Sequence, residues 1–72
     1  MDVVEVRLRD EYIKLGQALK AAHVADSGVD AKFMIQDGKV LVNGVQELQR
    51  GKKLRDGDEV VCGNVRIRII GQ

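Results

Sequence analysis

A single thiol and a single imidazole bound the chemistry this chain could perform. Cys62 is its only cysteine and His23 its only histidine, so it can build neither an internal disulfide nor a cysteine-based zinc site. Acting together as nucleophile and base, they would need a low-pKa thiol in an accessible, electropositive place. Cys62 instead continues the apolar run Val60-Val61 and reads as a small hydrophobe at a strand end. His23 falls between two helical patterns, at the rim of the basic residues, where its best use is a weak contact to an anion when protonated. These residues point away from an enzyme and require no cofactor and no metal.

The cations offer more. Residues 12 to 55 hold eight Lys and Arg against four acidic residues, a local +4, while the two ends together hold four against seven, a local −3. The formal net charge of +1 therefore conceals a polarised molecule. "GKVLVNG" at 38 to 44 and "GKKLRDGD" at 51 to 58 gather much of the positive charge around one small hairpin. Cations clustered on one surface neutralise phosphates and release counterions, and a helix start near Ser27 offers unpaired N–H groups to an anion.

Such a surface needs a scaffold, and 72 residues allow one domain, spanning 1–72. A domain of this size buries only about 60% of the surface its unfolded chain exposes, which leaves little room for a deep pocket. Hydrophobic residues at 44% and charged residues at 32% fit a soluble globular chain, neither disordered nor membrane-embedded. No apolar run approaches the roughly 18 residues that span a bilayer. The start "MDVVEVRLRD" lacks the features of a secretory signal, which predicts a cytoplasmic protein.

Along the chain, "VVEVRLR" at 3 to 9 alternates Val4, Val6 and Leu8 with Glu5, Arg7 and Arg9, the pattern of a half-buried strand. From Lys14 the period changes: Leu15, Ala18, Leu19 and Ala22 share one helical face and Lys14, Gln17 and Lys20 the other. Ser27 and Asp30 form a capping-box pattern before a second helix that places Ala31, Met34 and Ile35 on one side. Gly38 ends that helix and a strand follows at 39 to 43. Leu48 and Leu54 frame the basic loop, Asp56-Gly57 turns into a strand through Cys62, and Gly63-Asn64 is a hairpin signal before "VRIRII", with Val65, Ile67 and Ile69 inward. The order predicts an α+β domain with two helices packed on a small, mostly antiparallel sheet.

The run Lys14-Leu15-Gly16-Gln17-Ala18-Leu19, then Ser27, Ala31-Lys32 and Ile35, and finally "GKVLVNG", resembles the RNA-binding domain named after ribosomal small-subunit protein four, the S-four domain. That family's pattern runs Arg-Leu-Asp at one helix start, Ser-Arg at the next, an Ala and an Ile within it, then Gly-x-Val-x-Val-Asn-Gly. The likeness covers residues 13 to 61 or so and, through "IKLGQALK" and "SGVDAK", looks closest to short stand-alone bacterial members. It implies the αL RNA-binding motif, in which two helices and the following strand hold structured RNA, ribosomal or transfer RNA among them, in ribosome or RNA assembly or quality control. On this chain Lys14 stands at the family's first-helix arginine, Lys32 is a basic position of the second helix, Lys39 precedes the strand valine, and Asn43-Gly44 form the tight turn. Gly16 replaces the usual aspartate, and Gly28 replaces the arginine after the serine, which removes a phosphate contact. Arg50, Lys52, Lys53 and Arg55 are positioned to compensate from the loop.

The candidate RNA-binding residues are therefore Lys14, Gln17, Lys20, Lys32, Lys39, Asn43, Arg50, Lys52, Lys53 and Arg55. With Tyr12 and Phe33 the only aromatics, and Phe33 expected to pack, base stacking contributes little. Helical RNA suits the surface better, with Asn43 and Gln17 reaching 2′-hydroxyls or base edges. Each assignment has a plainer rival: helix-face lysines are commonly just solvated, and Asn before Gly is commonly a turn residue. Arg7, Arg9, Arg66 and Arg68 are expected to pair with Glu5, Glu59 and their neighbours across strands. The rival function is a protein-interaction module whose basic face binds an acidic partner. Either way the chain is expected to be a monomer without membrane contact.

Overall fold

Val6 and Leu8, on the apolar side of the first strand, are both buried, and so are all four residues of the predicted first-helix face, Leu15, Ala18, Leu19 and Ala22. The computed structural model describes residues 2–71; the two ends of the predicted domain, 1 and 72, lie outside the described residues. The elements are β1 (Asp2–Arg7), β2 (Ile13–Lys14), α1 (Leu15–Ala21), α2 (Gly28–Gln36), β3 (Val40–Val42), β4 (Val45–Gln46), β5 (Lys53–Leu54), β6 (Glu59–Cys62) and β7 (Val65–Ile70). Five strands form one sheet in the order β1-β7-β6-β3-β4, and β2 pairs with β5 in a separate two-stranded ladder. Within the larger sheet only β1 and β7 run parallel, so the predicted α+β fold with a mostly antiparallel sheet is the observed one.

The core lies between the helices and one face of the sheet. Leu15 and Leu19 of α1, Ile35 of α2, Leu54 of β5 and Val40, Val60, Ile67 and Ile69 of the sheet are its fully buried large side chains. Burying each contributes roughly 1.5–3 kcal/mol, which a domain of this size needs to offset its conformational entropy.

Both helices end alike. The N–H groups of His23 and Val24 donate to the carbonyls of Lys20 and Leu19, and those of Gly38 and Lys39 to Ile35 and Met34. These are Schellman motifs, with His23 (φ 59°) and Gly38 (φ 76°) in the left-handed conformation the motif requires. A Cβ on Gly38 would also collide with the side chain of Gln46, whose Nε2 donates to the Gly38 carbonyl at 3.0 Å. His23 thus has a backbone role that the sequence does not advertise.

The predicted turns form as two-residue hairpins. Asn43 and Gly44 both have positive φ, as a type I′ turn between β3 and β4 requires, and Gly63 (φ 59°) opens the β6–β7 turn in the manner of type II′. Two differences from expectation matter for the site. The basic segment after Gly51, expected as a loop framed by Leu48 and Leu54, instead supplies β5 and pairs with β2. Phe33, expected to pack, is 57% exposed, because the helix face that reaches the core carries Ala31 and Ile35 and Phe33 lies off it.

Candidate nucleic-acid interface

Ile13 and Leu54 face each other across the β2–β5 ladder on its inner side, which turns the next pair, Lys14 and Lys53, outward and directly opposite one another. Like charges in that relation repel. The preceding segment is tied down by its backbone. Leu15 and Gly16, at the start of α1, donate their N–H groups to the carbonyls of Lys52 (2.8 Å) and Arg50 (3.0 Å). Arg50 and Lys52 therefore lie across the helix start, with their exposed side chains beside Lys14 and Lys53. Two residues on, Arg55 joins them through an aromatic ring: the Lys53 Nζ sits 4.9 Å and the Arg55 guanidinium 5.5 Å from the centre of Tyr12.

Five of the predicted cations thus converge on one surface, Lys14, Arg50, Lys52, Lys53 and Arg55. Among the described residues none of the five side-chain charges has a carboxylate within 4.0 Å, although the Arg55 backbone N–H donates to Asp58 at 2.7 Å, and the close ion pairs of the sheet's outer face are Glu59 with Arg68 (3.2 Å) and with Arg66 (4.0 Å). Those pairs follow the expectation that Arg66 and Arg68 are occupied across strands. Glu5 sits at the register position of Arg68 on the neighbouring strand.

The other candidates are dispersed. Gln17 is on the exposed face of α1 one turn from Lys14, and its Oε1 accepts the Lys14 N–H at 3.4 Å, which leaves its amide nitrogen facing outward as a donor. Lys20, a further turn along α1, lines an open groove between that helix and β1. Lys32 is exposed on α2, and Lys39 precedes β3 at the end of the strand nearest Cys62. Burial pushes the Cys62 thiol up, and the charge of Lys39 opposes that shift without cancelling it. A thiol held in its neutral form within the core is a packing group rather than a nucleophile.

Asn43 belongs to a different cluster. Its Nδ2 donates to Asp58 (3.0 Å), its Oδ1 accepts the Glu59 N–H (2.9 Å), and its own N–H donates to the Glu59 carbonyl (2.8 Å). The side chain fastens the β3–β4 turn to the start of β6, beside acidic residues. Tyr12, which the sequence shows only as one of two aromatics, is the member of this surface that sequence reasoning does not place there. Nothing in its own segment, "DEYIK", marks it, since its cationic partners become neighbours only when β2 pairs with β5.

At the start of α2 the Ser27 Oγ accepts the Asp30 N–H at 3.2 Å, one half of the predicted capping box without the reciprocal bond from Asp30, and beyond the helix's own first turn nothing lies within 4 Å of the place where a Gly28 side chain would begin. The second helix therefore opens onto free space where the resembled pattern has its arginine.

A helix pair over a sheet, with a basic ladder closing the start of the first helix, defines the class of the molecule, and comparison with known proteins gives the family. The S4 domain model matches residues 6–70, and the chain belongs to that family. It is also similar to a Bacillus subtilis (strain 168) protein called "Probable ribosome maturation protein RlbA", 44% identical over 55 residues that cover 76% of this chain and 78% of that protein. Among the described residues, no helix is long and apolar enough to cross a membrane.

Proposed function

We propose that the protein binds structured RNA in the cytoplasm and acts, without catalysis, in ribosome maturation. The observation that carries this reading is the group of five cations at the β2–β5 ladder and the start of α1, two of them held opposite each other with no carboxylate nearby. A fold that keeps Lys14 against Lys53 bears a repulsion that a bound polyanion would relieve. The S4 domain match and the name of the Bacillus relative support RNA and ribosome maturation as the context. Gln17 adds a neutral donor beside Lys14, while the dispersed Lys20, Lys32 and Lys39 add only long-range attraction. Asn43 serves the turn first, and only its second amide hydrogen is left for RNA.

The test is a comparison of polyanions at matched salt. A duplex-containing RNA should bind more tightly than DNA of the same sequence, because its shallow minor groove presents 2′-hydroxyls to a shape-reading surface. Indistinguishable affinities would reduce the function to generic polyanion binding. Absence of nucleic acid from the protein as isolated, together with no measurable RNA affinity at low salt, would favour the acidic-protein partner instead.

The open start of α2 allows a gain-of-function experiment. Gly28→Arg has room for its side chain and no unusual backbone angle to satisfy. It should tighten RNA binding about three- to ten-fold at low salt and steepen the log-log salt dependence by about 0.7 to 0.9, the value of one additional phosphate contact. An unchanged salt slope would place the RNA away from this helix start.

A further inference from the structure

β1 lies at an edge of the five-stranded sheet, with β7 as its one neighbour. The N–H groups of Asp2 and Leu8 donate to the carbonyls of Asn64 and Ile70 on that side. Backbone groups alternate sides along a strand, so the even-numbered residues serve β7 while the N–H and C=O of Val3, Glu5 and Arg7 point away from the sheet. Among the described residues nothing takes up these groups. Natural edges of this length are usually blunted by charged side chains, lysine above all, by proline, a bulge or a covering element, and the charges β1 carries at Glu5 and Arg7 are of opposite sign, so they repel a like strand in some registers and attract it in another. This chain has no proline, β1 has no lysine, and its register with β7 runs unbroken from Asp2 to Arg7. Beside the free edge runs the groove against α1, with Val6, Leu8, Ile13 and Ala21 among its lining residues, so the edge is not screened by the helix.

We propose that β1 pairs with β1 of a second copy of this chain, antiparallel about a two-fold axis at Val6, which joins two five-stranded sheets into one. Charge selects the register. Edge-facing residues must oppose edge-facing residues, which leaves few alignments. An axis at Glu5 would set two carboxylates together, and one at Arg7 two guanidiniums. With the axis at Val6, Glu5 lies opposite the partner's Arg7 and Arg7 opposite the partner's Glu5. On the helix side Val6 meets the partner's Val6, and Val4 meets the partner's Leu8. The contact is isologous and closes at two copies, as a two-fold interface must. Strand pairing of this kind buries less than the roughly 1,000 Å² of a stable interface, so the dimer is weak and concentration-dependent. It also departs from the monomer expected on sequence, because an edge strand is visible only once the strand order is known.

The test uses the intact protein without RNA. Sedimentation equilibrium from about 10 μM to about 1 mM should show a reversible rise from the mass of one chain toward two, the range in which small interfaces assemble. Amide exchange of Glu5 and Arg7 should slow with concentration, whereas Val4 and Val6, bonded to β7, are protected throughout. Glu5→Pro removes an outward-facing donor without touching the β7 ladder, and should hold the protein monomeric with an unchanged circular dichroism spectrum. Glu5→Arg and Arg7→Glu should each self-associate at least about ten-fold more weakly than the wild type yet associate with each other when mixed, since the mixture restores both opposite-charge pairs. A wild-type protein that keeps single-chain mass at the highest concentration overturns the pairing. Folded Glu5→Arg protein that self-associates as strongly as the wild type overturns the register.

Discussion

Replacing Lys52 and Lys53 together with glutamate should weaken binding to a duplex-containing RNA by about 100-fold or more near 0.1 M salt, because two phosphate contacts are lost and two repulsions take their place. If the wild-type surface neutralises about four phosphates, its log-log salt slope lies near −3 to −4, and the double variant should bring it to about −1 to −2. The fold should survive. Both side chains are exposed, and the bond that Lys52 supplies to α1 comes from its backbone carbonyl. Losing the Lys53 contact with Tyr12 costs about 0.5–1 kcal/mol, and an opposite charge facing Lys14 across the ladder offsets it by a similar amount. The control is Arg66→Glu with Arg68→Glu, which changes net charge equally but on the outer face of the sheet, where both arginines attend Glu59. At physiological salt the Debye length is about 8 Å and the two arginines are already engaged with Glu59, so charge changed on that face should matter less, and a loss of less than about three-fold is expected. Equal losses from the two double variants, with circular dichroism unchanged, would mean that only bulk charge is read.

The parts of the fold that could be read in advance were those with local signals. Period-two alternation marked β1 and β7, the spacing of Leu15, Ala18, Leu19 and Ala22 marked α1, and Asn43-Gly44 and Gly63-Asn64 marked the hairpins. The β2–β5 ladder carried no such signal, since two residues per strand are too few for any period and their partners are distant in the chain. The site inherited that blind spot. Lys52 and Lys53 were legible as a cluster, but their position against Lys14 and Tyr12 depends on a pairing that only the closed fold creates. Phe33 was misplaced for a related reason: Val29, Phe33, Met34 and Ile35 put apolar residues on more than one side of α2, so helical spacing alone could not say which side meets the core. Asn43 was legible as a turn residue, whereas its bonds to Asp58 and Glu59 required β6 to be alongside.

Leu15→Asp should leave the domain without a cooperative thermal transition. Leu15 is the first residue of α1 and wholly inaccessible, so the new carboxylate has neither water nor a cation within the apolar cluster to receive it. Burying an unpaired charge costs several kcal/mol at least, and a domain of this length has only about 4–11 kcal/mol of stability to lose. The same reasoning gives a sharper contrast within one hairpin. Val42 and Val45 are register partners on the same side of the sheet, yet Val42 is 7% exposed and Val45, on the two-residue edge strand β4, is 69% exposed. Val42→Asp should therefore unfold the protein or come close to it, while Val45→Asp should shift stability by no more than about 0.5 kcal/mol, as surface substitutions usually do. Urea titrations followed by circular dichroism decide the matter. A native-like midpoint for Val42→Asp, or an equal loss from both valine substitutions, would show that the core does not end at β3, and the arrangement of α1 and the β2–β5 ladder above it would have to be redrawn. If Leu15→Asp alone stayed folded, the start of α1 would be loosely held despite the bonds from Leu15 and Gly16 to the Lys52 and Arg50 carbonyls, and the basic surface would lose the rigid base on which its phosphate contacts depend.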